Sequence, residues 1–86
     1  MKKLNITIIS KEKVEYQGQA DAVFVPTQTG IIEVLPQHMQ LISALKQGEI
    51  VLKKDGQNDL KFKISAGVLE VRTESNVIIL ADIVRE

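Results

Sequence analysis

Short aliphatic runs recur about every ten residues along this chain, and glycine, proline or a polar turn closes nearly every one of them. No stretch of ten or more residues carries a helical period. Leu4, Ile6 and Ile8 alternate with Asn5 and Thr7, the two-residue repeat of a strand with one buried face, so Leu4 to Ser10 is the first predicted strand. Val14 to Tyr16 resumes the alternation, with a turn or bulge expected at Gly18, and Ala22 to Val25 forms an apolar run ended by Pro26. Ile31 to Leu35 is stopped by Pro36, and Met39 to Leu45 is read as a strand because it is short for a helix and Gly48 follows closely. Glu49 to Lys53 and Leu60 to Ile64 flank an Asp55-Gly56 hairpin turn. Val68 to Arg72 and Val77 to Ala81 form a second pair around Thr73 to Asn76, with a bulge or a close backbone approach at Gly67.

This pattern predicts an all-β chain: an antiparallel sandwich or flattened barrel of about eight to ten short strands, in a single domain over residues 1–86. Side-chain choice agrees, since 20 of the 38 apolar residues are Ile or Val. Eighty-six residues sustain one modest core and no second domain.

Charge and chemistry exclude more than they suggest. Eleven basic and eleven acidic side chains cancel, so no net field attracts nucleic acid or an anionic bilayer. Without cysteine there is neither a disulfide framework nor a thiolate metal site. The opening MKKLNITIIS lacks a small-residue cleavage site and reads as a strand, and no apolar run approaches the ~20 residues that span a bilayer.

His38, the only histidine, has no cysteine to pair with, and Ser10, Ser43, Ser65 and Ser75 sit in no recognisable triad setting. One histidine cannot supply the three or four ligands of a zinc site, and Asp55 with Asp59 is a poor match to a calcium loop. No catalytic, cofactor-binding or metal-binding residue is therefore assigned. Lys53, Lys54, Lys61 and Lys63 around Phe62 are the only candidates for contacting single-stranded nucleic acid, but their alternation with core residues is that of a solvated strand face.

One segment stands out. TGIIEVLPQHMQLISALKQGEI resembles the epsilon subunit family of rotary ATP synthase, matching its glycine, proline and histidine pattern at Gly30, Val34, Leu35, Pro36, His38, Leu41, Ser43, Leu45 and Gly48. Ser65 to Val71 and Val77 to Asp82 resemble two further family segments in the same order and spacing, and the likeness covers essentially the whole chain. Glu33, Gln37 and Ala66 stand where the family has glycine, and Gln40 where it has proline. Glycine at such positions serves positive φ, so a change of local loop conformation is expected there.

The resemblance implies a non-catalytic rotor part that docks the gamma subunit to the ring of membrane-embedded c subunits and couples proton or other ion flow to ATP synthesis. It implies residence at the cytoplasmic side of the bacterial inner membrane, peripheral and attached only indirectly through the c-ring, with no nucleic acid partner. By position in the family pattern, Ile31, Glu33, His38, Gln40 and Leu41, with Ser10 less central, are the expected contacts with gamma or the c-ring. The family's carboxy-terminal helical hairpin would begin just after Asp82, so inhibition through that hairpin is not expected of this chain. The rival reading is a free-standing β adaptor that binds a peptide or single-stranded nucleic acid.

Overall fold

In the computed structural model, which describes residues 2–85, the aliphatic alternation becomes a set of strands around one core. Met1 and Glu86, the ends of the predicted domain, lie outside the described residues. Among the described residues there are eight strands: β1 (Leu4–Ile9), β2 (Val14–Ala20), β3 (Ala22–Thr27), β4 (Gly30–Val34), β5 (Leu41–Leu45), β6 (Gly48–Lys53), β7 (Leu60–Val71) and β8 (Asn76–Ile83).

They form two layers. One runs β2-β1-β8-β7-β5, and the other is built on β3, flanked by β4 and β6, with β6 passing on to β7. Strand β7 belongs to both: its first half pairs with β6 and its second with β8 and β5. The register shifts between Ile64 and Ala66, where an extra residue lets the strand turn the corner between layers. Because Leu45 of β5 also pairs with Thr27 of β3, the ladder β7-β5-β3-β6 closes on itself, which makes the sandwich a flattened barrel.

Leu4, Ile6, Ile8, Val77, Ile79 and Leu69 of the first layer meet Val23, Val25, Ile50 and Leu52 of the second, and all are essentially inaccessible to water. Tyr16 and Phe62 pack edge to face against this core, their centroids 6.4 Å apart, and so join β2 to the first half of β7.

Several local expectations shift. Gly18 is neither turn nor bulge but lies inside β2 opposite Ile6, with the Tyr16 ring folded over it; the ladder slips at Ile8/Ile9 instead. Pro26 does not end its strand. It pairs with Ile31 on one side, while on the other the ladder of β3 passes from β6 to β5, so its missing N–H falls in a gap. The separate strands expected at Leu60 to Ile64 and Val68 to Arg72 are one element. The pairing of β1 with β8 is parallel, whereas every other ladder is antiparallel.

Gly67 does mark a close approach. A Cβ there would lie 2.7 Å from the Leu80 carbonyl oxygen and 3.1 Å from the Ala81 Cβ. Gly67→Ala must push β8 away from β7 and is expected to cost about 1–3 kcal/mol. In a domain of this size that lowers the melting temperature by about 4–8 °C per kcal/mol. An unchanged melting temperature would refute the close approach.

Candidate functional site

The parallel pair defines two ends of the molecule, one where β1 and β8 begin at Asn5 and Asn76 and one where Ile9 lies beside Leu80. The sequence-derived candidates do not gather in one place. Ser10 follows Ile9 at the second end, His38 and Gln40 lie at the first, and Ile31 and Glu33 sit on the outer surface of the other layer.

Ser10 has an internal task. Its hydroxyl accepts the N–H groups of Glu12 and Lys13 at 3.2 and 3.3 Å and donates to Glu15 Oε2 at 2.6 Å, closing the β1–β2 turn. The same Glu15 carboxylate takes the Arg85 guanidinium, and the Val84 N–H donates to the Lys63 carbonyl at 2.8 Å. This clasp holds the segment after β8 against the β1–β2 turn. The Ser10 hydrogen bond first, then Arg85, hold the Glu15 carboxyl below its ordinary 4.5.

Ile31 and Glu33 alternate with Ile32 and Val34 on β4, so the first pair faces out and the second faces in. Ile31 is 72% exposed on this outer surface. The interruption after β4 is a tight turn in which the His38 N–H donates to the Leu35 carbonyl at 3.1 Å, with Pro36 second and Gln37 third. Gln37 reaches across the end of the sandwich, where its N–H donates to Ser75 Oγ at 2.8 Å. His38 Nδ1 donates to the Met39 carbonyl at 2.7 Å and so serves its own loop. Leu41 turns inward opposite Val71 and packs on the core.

Sequence reasoning missed an exposed apolar row that crosses five strands. Register aligns Ala44, Val68, Leu80, Ile9 and Val14 side by side across β5, β7, β8, β1 and β2, all on the outer face of the first layer. At about 4.8 Å per strand this row is about 19 Å long. Ile42 and Ile78 lie one pleat away on the same face, and Glu70, ion-paired with Arg72 at 3.0 Å, interrupts them. Ile9, Ser10, Val68 and Leu80 line a shallow groove of about 440 Å³ beside the middle of the row. Among the described residues Met39, beside His38, is the most exposed of the large hydrophobic ones at 82%. The signal was present in the unbroken aliphatic runs Ile8-Ile9 and Val77 to Ala81, which put apolar groups on both faces of their strands.

Of the four lysines considered for nucleic acid, Lys53 pairs with Asp59 at 2.8 Å and lies over the Phe24 ring, and Lys54 sits 5.0 Å from the Tyr16 ring centroid. Intramolecular partners thus divide the stripe. Among the described residues no helix is long and apolar enough to cross a membrane.

Comparison with known proteins bears on what the exposed row and loops serve. The model of the ATP synthase delta/epsilon chain β-sandwich domain matches residues 3–86. The ATP synthase epsilon chain of Brevibacillus brevis is 35% identical over 82 residues, covering 95% of this chain and 61% of that relative. That of Hydrogenovibrio crunogenus is 39% identical over 79 residues, covering 92% and 54%. The chain thus spans just over half the length of these curated relatives. The same fold occurs in a chain of the Euglena gracilis mitochondrial ATP synthase assembly containing OSCP, F1 and c-ring, with a TM-score of 0.89, 21% identity and coverage of 98% of this chain and 54% of that one. A chain of the Tetrahymena thermophila central stalk and c-ring structure gives 0.77 at 14% identity, covering 95% and 66%.

The clasp has a pH signature. A carboxyl held below its ordinary value contributes stability that is fully present above pH 4.5 and is lost as the pH falls through the lower folded value. Melting curves of the wild type and Glu15→Gln should therefore differ by a constant amount above about pH 5.5 and converge in more acidic buffer. A difference that persisted unchanged to pH 3 would show that the ionised clasp contributes nothing.

Proposed function

Since the chain belongs to the ATP synthase delta/epsilon family through its β-sandwich domain, we propose that it is a non-catalytic rotor subunit that docks gamma to the c-ring and so couples ion flow to ATP synthesis. The observation that carries this reading is the aliphatic row across five strands, a surface suited to burial against another protein. A subunit that transmits torque needs rigid grips more than it needs a pocket.

The row is assigned to gamma. Ser10 borders the groove beside its middle, and His38 and Gln40 lead directly into the exposed Ile42, one pleat from the row on the same face, so these candidates belong to the gamma side. Ile31 and Glu33 project from the opposite layer, where a body gripping the row leaves them open to a second partner, assigned to the c-ring. Leu41 supports this surface from beneath by its packing. The membrane is reached only through the c-ring, at the cytoplasmic side of a bacterial inner membrane.

Val68 and Leu80 are 42% and 52% exposed, so replacing both by Asp should leave the isolated chain folded. Losing their burial on docking costs about 2–4 kcal/mol together, a roughly 30- to 1,000-fold drop in affinity for purified cognate gamma. Ile31→Asp should leave that affinity unchanged while reducing retention of the gamma complex on c-rings. Wild-type affinity for gamma in the Val68→Asp, Leu80→Asp variant would refute the assignment.

A further inference from the structure

Three non-glycine residues among those described have clearly positive φ, Gln37 at 67°, Glu74 at 59° and Ser75 at 63°, and all three lie at the His38 end of the molecule. The left-handed region is uncomfortable for side chains that carry a Cβ, and such residues persist only where the surroundings over-determine them. Here the surroundings are one another. Gln37 takes the third position of the Leu35 to His38 turn, where type II geometry calls for glycine or asparagine, and its N–H is bound by the Ser75 hydroxyl from 38 residues further along.

Ser75 is only 7% exposed and sits in the short turn Thr73–Ser75 between β7 and β8. That turn is itself fixed: the Arg72 N–H donates to the Asn76 carbonyl at 2.7 Å, and Asn76 Nδ2 donates to the Thr73 carbonyl at 3.1 Å. Between the loop and the turn lies a cleft of about 640 Å³, bordered by Lys2, Asn5, His38, Met39, Gln40 and Glu74.

We infer that Ser75 is a positioning residue: its hydroxyl latches the His38 loop to the β7–β8 turn, so that His38, Met39 and Gln40 are presented to the partner as one preformed platform with Thr73 and Glu74. The inference rests on the docking role proposed above for this loop. It adds a residue that touches no partner and a reason why glutamine is tolerated in a glycine-type turn. Preformed loops lose less conformational freedom on binding, so the latch acts on affinity through the loop and not through a contact of its own.

Ser75→Gly separates the hydroxyl from the backbone, because glycine adopts a φ of 63° without strain yet offers no acceptor. In the full chain this variant should speed amide exchange at Gln37 about tenfold while Leu69 and Ile79 in the core remain strongly protected. The single imidazole is a second reporter: the His38 ring resonances should move towards those of unstructured histidine. Affinity for purified cognate gamma should fall about five- to tenfold at a temperature where the variant stays fully folded, its melting temperature dropping by no more than the few degrees that one lost hydrogen bond explains. Unchanged exchange at Gln37 would overturn the latch, and faster exchange with undiminished affinity would overturn the positioning role. Failure of the wild type itself to bind gamma would sink the docking role and the positioning role with it, while Gln37 exchange still decides whether the latch exists.

Discussion

The hydrogen-bond circuit through β7 is the constraint on which the rest of the structure depends. This twelve-residue strand pairs with β6 along its first half and with β8 and β5 along its second, so one element carries the ladders of both layers. The register shift at Ser65 is what makes the sharing possible, since a flat strand of that length would run out of one layer into solvent. Closure through Thr27 and Leu45 then ties the layers on their other side. Two layers held by hydrogen bonds at two seams, and not only by the apolar contact between them, resist sliding.

That rigidity explains how exposed features at different places keep a fixed relation. The aliphatic row is a property of register: a slip of one residue between β7 and β8 would turn Val68 or Leu80 inward and expose a core side chain instead. The Glu15–Arg85 clasp at one end and the Gln37–Ser75 bond at the other fix the segments that leave the ladders. Residues that would otherwise be loose termini or loop tips thereby inherit the geometry of the sheet.

Much of this was legible from residue order, and the failures have physical causes. Alternation located β1, which buries one face, short aliphatic runs closed by proline, glycine or polar turns located β4, β6 and β8, and Asp55-Gly56 located its hairpin because the turn needs a residue such as Gly56, whose φ is 72°. Pro26 and Gly18 misled because each was judged as a local breaker, whereas the neighbour that tolerates it, a gap in a ladder or the ring of Tyr16, is supplied by tertiary structure. The same holds for the site. The break at Pro36 announced a loop at His38, but no local signal links Gln37 to Ser75, and the aliphatic row emerges only once five registers are known. Of the three glycine replacements seen in the sequence, only Gln37 has positive φ; Glu33 and Ala66 are ordinary strand residues.

The parallel pairing of β1 with β8 places the earliest and the latest strands of the described chain next to each other, with β8 inserted between β1 and β7. During synthesis the amino-terminal hairpin leaves the ribosome with one side of its ladder unfilled, and that side stays open until the segment ending near Ile83 has emerged. Contacts of such long sequence separation are slow to form. Strand β8 is the one that completes the layer, so a nascent chain arrested before it offers neighbouring polysomes an open edge for aggregation.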